Sequence, residues 1–332
     1  MRVLVLTSPA DLAGRPDMAD TFVQAEEIAA RLHELGHETL TMPYARGHDI
    51  GTFVEFEPHL VFNLVEDLPD GPDQLHTVTG VLDQRDIAYT GAATEPLRVL
   101  GNKPVMKAKL RAAGLPVPAG LGEAGESTRY IVKSAIEHAS VGLSAENVVN
   151  GAGAALLMIG KREAEFGGEW FAEQYVDGRE FNVAILDGPA GPTVLPVAEI
   201  LFIDHAGDTP RIVGYAEKWD VDSRAFAATP RTFPAREEPL FSELEHLARA
   251  AWDLFELSGY ARVDFRVDRA GGPYILEVNA NPCLAADAGF CAAAAEQGLT
   301  QADVVARLLA AAHRHDPEKW TPVFGPGHAE RK

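Results

Sequence analysis

The chain has 332 residues, 46% apolar and 23% charged, with a formal net charge of −20. That length divides into two or three domains with sizeable cores, and the acidic balance argues against nucleic acid or an anionic membrane as partner, since either needs a basic face. No run of 18 apolar residues exists, and the apolar start Met1 to Pro9 is too short for a signal-peptide core. Cys283 and Cys291 are the only cysteines. They fit a reducing, cytoplasmic compartment, with no disulfide framework and no thiolate metal site. They read as packing residues rather than nucleophiles. Lysine is scarce, so an acidic protein that binds a polyphosphate must place Lys103, Lys133 and Lys218 deliberately.

Arg2 to Thr7 is a continuous apolar strand, buried on both faces. No G-x-G-x-x-G follows it, so a dinucleotide fingerprint is absent. After a polar loop, Ser8 to Asp20, Thr21 and Gln24 form a capping box. Ala25, Ile28, Ala29, Leu32 and Leu35 recur at helical spacing until Gly36. His37 to Met42 and Leu60 to Val65 read as further strands, with a helix near Gln74 to Asp83 and a short strand at Ala88 to Thr90. Strands alternating with helices argue a parallel α/β domain. Lys103 to Ala113 is a helix stopped by Gly114 and Pro116. Beyond it come a strand at Tyr130 to Lys133, a small-residue loop at Glu137 to Ser144 and a flexible stretch from Asn150 to Gly153. Trp170 to Tyr175 reads as a strand that pairs with Phe181 to Leu186 as a hairpin across Asp177-Gly178. Thr193 to Phe202 is another strand, and Arg236 to Ser258 a long amphipathic helix. Thr300 caps a last helix carrying Val304, Val305, Leu308 and Leu309 on one face. The tail from Asp316 is peripheral.

Ala261 to Asn281 is the most informative stretch. It reads as two strands about a turn at Asp268 to Gly272. Val263, Phe265 and Val267 face one way; Arg262, Asp264 and Arg266 face the other. In the second strand Leu276 and Val278 lie on one side, with Ile275, Glu277 and Asn279 opposite. If the polar faces meet, Asp264, Glu277 and Asn279 form an oxygen-only set suited to Mg²⁺. The alternative is an ordinary hairpin with a solvated acidic face.

Ten segments in this order decide between the two: VFNLVED (61–67), YTGA (89–92), NKPVMKAKL (102–110), GLPVP (114–118), YIVK (130–133), EHASVGLS (137–144), FAEQYVDGREF (171–181), EKW (217–219), ARVDF (261–265) and LEVNANP (276–282). Singly most are weak. As an ordered set the chain resembles the ATP-grasp superfamily, and within it the D-alanine–D-alanine ligase family. The resemblance implies an ATP-grasp fold: an N-terminal parallel α/β domain (1–98), a small α+β lobe with a phosphate loop (99–172) and a large antiparallel-sheet C-terminal lobe (173–332). It implies an ADP-producing carboxylate–amine ligase acting through an acyl phosphate on small amino-acid-like substrates. ATP and two Mg²⁺, with Mn²⁺ as substitute, would serve it. A homodimer is the family-level expectation.

Position by position, the resemblance makes Lys103 and Lys133 the ATP-phosphate lysines and Glu173 a hinge residue near the adenine amino group. Gln174, Tyr175 and Val176 would read the ring edge through their backbone. Glu180 would accept the ribose hydroxyls. Lys218 would reach the γ-phosphate, Ser140 to Gly142 would cover the phosphates, and Arg262 would stabilise the tetrahedral oxyanion. Asp264, Glu277 and Asn279 would be the metal set. The substrate positions depart from the family. No Glu-x-x-Val-Ser segment opens the first helix, where Asp11, Asp17 and Asp20 stand instead. Ala139 replaces a serine, Trp219 a tyrosine and Cys283 a glycine, and Asn63 to Asp67 replaces a His-Gly segment. Ala288-Gly289 replaces the Ser-Leu pair that holds the acceptor carboxylate. Glu66, Asp287, Ala288 and Gly289 are therefore the candidate substrate residues, with Glu66 and Asp287 suited to an amine or polar group. The lone loop His138 reads as a surface residue rather than a proton acceptor. Intramolecular cyclisation through the same acyl phosphate, and an ATP-binding module without catalysis, are the alternatives. The intact Arg262, Asp264, Glu277 and Asn279 favour an enzyme.

Overall fold

A computed structural model describes residues 1–9, 12, 19–44, 55–69, 71–125, 128–137, 140–203, 209–219, 223–235 and 239–315. Asp11, Asp17, His138, Ala139, Arg236 and the tail from Asp316 lie outside the described residues. β1 (Arg2–Thr7), α1 (Ala19–Glu34), β2 (Glu38–Pro43) and β3 (Leu60–Leu64) open the chain. The strands make a parallel sheet in the order β2-β1-β3. β1 and β3 are continuous apolar runs because both faces of the sheet are covered. Ile28 and Leu32 of α1 pack on Val3, Val5 and Phe62, while Val78 and Leu82 of α2 (His76–Gln84) pack on Leu4, Leu6 and Val61. The expected strand at Ala88 to Thr90 is reduced to one parallel bridge, Tyr89 to Val61. The expected capping box at the start of α1 does not form. The helix begins at Ala19, placing Thr21 inside its first turn. Gln24 is spent elsewhere: it donates to Glu66 and accepts from the Leu284 N–H at 2.8 Å.

α3 (Thr94–Leu100) and α4 (Lys103–Ala112) lead to β4 (Arg129–Ser134), β5 (Val148–Asn150), α5 (Ala152–Phe166) and β6 (Trp170–Gln174). These strands form an antiparallel sheet in the order β5-β4-β6. α5 escapes a reading of the sequence because glycines interrupt it and Leu156 and Leu157 face solvent, blurring the helical period.

The expected hairpin between residues 170–175 and 181–186 is overturned. β6 pairs with β4, whereas β7 (Gly178–Leu186) enters a different sheet. Asp177-Gly178 is a crossing between sheets. A Cβ on Gly178 would lie 1.8 Å from the Val267 carbonyl oxygen, so only glycine allows this approach. The chain continues through β8 (Thr193–Val194), β9 (Ala198–Ile200), α6 (Tyr215–Trp219), α7 (Arg224–Ala227), β10 (Arg231–Thr232), α8 (Pro239–Leu254), β11 (Tyr260–Asp268) and β12 (Pro273–Asn279). The second sheet runs β10-β9-β7-β11-β12, with β8 alongside β7. The single strand expected at Thr193 to Phe202 is split around Pro196, which has no N–H to give the ladder.

Phe241, Leu244, Ala248 and Trp252 of α8 cover one face of this sheet, joined by Met106 and Leu110 of α4. On the other face, α9 (Gly289–Glu296) and α10 (Gln301–His315) bring Phe290, Val304 and Leu308 against Ala184, Leu186, Val3 and Ile28. The parallel sheet and the large sheet thus share a core. Thr300 caps α10 as expected, in a reciprocal box with Asp303 at 2.6–3.2 Å.

In β11 the alternation holds: Val263, Phe265 and Val267 enter the core. In β12 it does not. Asp264 stands opposite Glu277 but Phe265 stands opposite Ile275, leaving Leu276 as an extra residue. This bulge shifts the phase by one. Ile275 therefore joins Val278 in the core instead of sharing a face with Glu277 and Asn279.

Candidate active site

A cleft of about 720 Å³ opens between the small sheet, the large sheet and the end of β3. It is lined by Glu66, Lys103, Lys133, Ser140, Glu173 to Val176, Glu180, Lys218, Arg262, Asp264, Glu277, Asn279, Ala288 and Gly289. These are the residues singled out from the sequence, with one exception. Asp287 is exposed and outside the lining; what it presents inward is its carbonyl, which accepts from Arg231 Nη1 at 3.4 Å.

β11 and β12 bring the acidic set together. Asp264 and Glu277 are cross-strand partners, as are Arg262 and Asn279. Arg262 grips Asp264 through two bonds, Nε to Oδ1 at 2.7 Å and Nη2 to Oδ2 at 2.9 Å. Asn279 Nδ2 donates to Asp264 Oδ2 at 3.0 Å and Asn182 Nδ2 to Oδ1 at 2.7 Å. Burial works against the Arg262 charge, but Asp264 outweighs it and raises the guanidinium pKa further. Nη1 of Arg262 has no hydrogen-bond partner among the described residues.

The lysines are placed by α4 and β4. Lys103 Nζ lies 3.3 Å from Glu277 Oε1 and donates to the Glu137 carbonyl. Glu173 is a buried anchor at 1% exposure. Its oxygens meet Lys133 Nζ at 2.8 Å and Lys107 Nζ at 2.6 Å. Burial alone would raise its carboxyl pKa; the two ammonium groups win, and the pKa is lowered. Burial pulls the Lys107 pKa down to about 8 against the pull of Glu173. Lys107 was not foreseen, yet its signal was available: it stands one helical turn after Lys103, on the same face of α4. Arg266 was also missed as a site residue. It is buried and holds Glu180 at 2.9 Å.

Further along the cleft, Lys218 on α6 makes no hydrogen bond or ion pair among the described residues, and burial lowers its pKa. Ser140 adopts a φ of +60° and donates to the Val213 carbonyl at 3.3 Å, tying the loop after β4 to the segment that leads into α6. Along the expected hinge, the Gln174 and Tyr175 N–H groups bond to Ala119 and Arg129 carbonyls at 2.7 and 2.8 Å. The Val176 N–H is the one of the three not so engaged among the described residues.

For a divalent cation the donor set fits. Two carboxylates and the amide oxygen of Asn279 share one face, an oxygen-only set for a hard ion; Lys103 and Arg262 now balance their charge, and each Asp264 oxygen accepts two N–H bonds, so an ion would take the place of at least one of these donors. Among the described residues no three His, Cys, Asp or Glu side chains cluster, so Asn279 is needed as the third donor.

A small antiparallel sheet and a large one facing each other across a cation-lined cleft define the ATP-grasp fold. Two crystal structures of D-alanine–D-alanine ligase from Bacillus anthracis share it. One is complexed with ATP, and the TM-scores are 0.73 and 0.72 at 20% and 19% identity, over 96% of this chain and 99% of each of theirs. The D-ala D-ala ligase C-terminus family matches residues 126–310. The D-alanine–D-alanine ligase of Laribacter hongkongensis is 31% identical over 250 residues, 71% of this chain and 74% of that one. The uncharacterized protein y4sG of Sinorhizobium fredii is 30% identical over 306 residues, 87% of each chain. The chain belongs to the D-alanine–D-alanine ligase family. Among its described residues no helix is long and apolar enough to cross a membrane.

Proposed function

We propose that the chain is an ATP-dependent carboxylate–amine ligase, acting on amino-acid-type substrates other than two D-alanines. The observation that carries this reading is the meeting of Arg262, Asp264, Glu277 and Asn279 on one face, in one cleft with Lys103, Lys133 and Lys218. The departure at Ala288 and Gly289, which offer no hydroxyl or long side chain, supports a different acceptor.

In this reading the adenine edge lies at the hinge, where the Val176 N–H donates, and Glu180 takes the ribose hydroxyls while Arg266 holds its carboxylate in place. Lys103, Lys133 and Lys218 gather the phosphate oxygens. The substrate carboxylate attacks the γ-phosphorus, the bond to the ADP oxygen breaks, and an acyl phosphate forms. The amine then adds to the acyl carbon. Arg262 Nη1 donates to the oxyanion formed by this addition, while Asp264 fixes the guanidinium plane; the oxyanion then collapses, the carbon–oxygen bond to phosphate breaks, and the amine proton leaves with the phosphate. Asp264, Glu277 and Asn279 would hold Mg²⁺, which when bound neutralises charge on the transferred phosphoryl group. The Ser140–Gly142 loop excludes water, which would hydrolyse the acyl phosphate.

The test is release of ADP and phosphate from Mg-ATP over D- and L-amino acids, singly and in pairs, with mass spectrometry of products. A product joined by an amide bond, or a single substrate that has lost water, is the expected result. D-alanyl-D-alanine from D-alanine alone would refute the altered specificity, and no nucleotide turnover with any pair would refute the ligase.

A further inference from the structure

The cations that line the cleft fall into two groups. Lys103, Lys133, Arg262 and Arg266 each face an acid: Glu277, Glu173, Asp264 and Glu180. Lys218 and Arg231 make no ion pair among the described residues, although acids lie near both. Lys218 has a use in the ligase reading. Arg231 has none, and no feature of the sequence marked it, because its place depends on a two-residue edge strand.

Arg231 begins β10, opposite Ile200 of β9, and its side chain crosses the cleft wall to the start of α9. The guanidinium ends against Gly289: a Cβ built there would sit 3.6 Å from its Nε, Cζ and Nη2. Gly289 is not required by backbone geometry, since its φ is not positive. A glycine in the first turn of a helix costs stability relative to alanine. An alanine Cβ here would meet the guanidinium at ordinary contact distance, so only a longer side chain would crowd it. The one hydrogen bond of the guanidinium among the described residues is the 3.4 Å contact to the Asp287 carbonyl, long for a charged donor. Partial burial, then the nearby Arg262 charge, lower its pKa, and Asp287 opposes them in part. The guanidinium thus stands exposed in the cleft wall near a second guanidinium, with Asp287 as a nearby charge but no acid in ion-pair contact among the described residues. An anion brought by a ligand resolves both, and the planar fork of arginine matches a carboxylate in two-bond geometry.

We propose that Arg231 binds the carboxylate of the amino-acid-type substrate that enters beside Arg262. This assignment rests on the ligase reading, and it makes the free carboxylate a requirement for that substrate.

The experiment compares wild type, Arg231→Met, Arg231→Lys and Gly289→Leu. Each is assayed with the amino acid that supports ADP release and with its primary carboxamide. Wild type is expected to prefer the acid. Arg231→Met should raise KM for the acid about 10- to 100-fold, the worth of a charge-assisted bond. KM for ATP and kcat should stay within about twofold, and the preference for acid over carboxamide should vanish. Arg231→Lys should recover part of the loss. Gly289→Leu, which keeps the charge but takes the space, should raise the same KM. An unchanged KM for the acid in Arg231→Met, an equal loss for acid and carboxamide, or an effect on KM for ATP instead, would overturn the assignment. Calorimetric titration of the same acids and carboxamides into the protein with Mg-AMP-PNP separates this question from turnover. If no pair releases ADP, the ligase reading fails, while acid-selective binding lost in Arg231→Met still supports the carboxylate site. Absence of acid-selective binding in wild type refutes it.

Discussion

Nε and Nη2 of Arg262 hold Asp264, which in the ligase reading leaves Nη1 for the reacting oxygen. Arg262→Ala is expected to lower kcat about 10²- to 10³-fold, the usual effect of removing one oxyanion donor. Arg262→Lys should restore little, since an ammonium cannot do both at once; steady-state kinetics of the two variants check this. Glu173 carries a different prediction. Its pKa is lowered in the folded state, so its contribution is present above the ordinary carboxylate value of 4.5 and is lost as pH falls below it. Glu173→Gln should destabilise the protein by about 3–5 kcal/mol at neutral pH, because two buried lysines lose their acid. Urea midpoints should show that gap narrowing as pH falls below 4.5 and through the lowered pKa of the wild-type carboxyl. Asp264, Glu277 and Asn279 were legible from alternation and register on one hairpin. Arg231 and Arg266 were not, because their partners come from strands distant in sequence. Lys107 was readable from its spacing to Lys103; burial against Glu173 is what gives the spacing meaning.

At the scale of elements, two local irregularities aim the site. The bulge at Leu276 turns Ile275 into the core and leaves Glu277 and Asn279 in the cleft. Deleting Leu276 would restore strict alternation and drive one or other set to the wrong face. Loss of Mg-ATP turnover together with a lowered Tm is expected, measured on whatever soluble protein is recovered. Gly178→Ala tests the crossing into the large sheet. A Cβ meeting backbone oxygen at 1.8 Å cannot be relieved by a rotamer change. A loss of about 3 kcal/mol or more is expected from urea unfolding, at the upper end of overpacking costs. The parallel sheet followed from the alternation of strands and helices, and α1 and α10 from their apolar spacing and end residues, although the cap expected at Thr21 did not form. The partner of β6 did not, because Asp-Gly is the signature of a tight turn and only the proximity of β11 makes it a crossing. The break in the Thr193 to Phe202 strand was visible in Pro196.

Across the whole molecule, the loop after β4 reaches over the cleft to the segment that leads into α6. Besides the Ser140 to Val213 contact, Tyr215 N–H reaches the Leu143 carbonyl at 3.3 Å. Binding of Mg-AMP-PNP is expected to slow amide exchange in residues 140–144 and 212–218, with little change in β1 to β3; hydrogen-exchange mass spectrometry reads this. Unaltered exchange in both loops would mean the nucleotide does not draw them together.

The acid partners of the cleft cations set how binding responds to solution conditions. Lys103 and Lys133 already have carboxylates as counter-ions within the protein. A polyphosphate arriving there exchanges one internal partner for another and displaces few ions from solvent. The logarithm of nucleotide affinity against the logarithm of salt concentration should therefore have a slope well below the number of lysines that touch the phosphates. An acidic protein built this way holds an anion through salt changes that would strip it from an exposed basic patch.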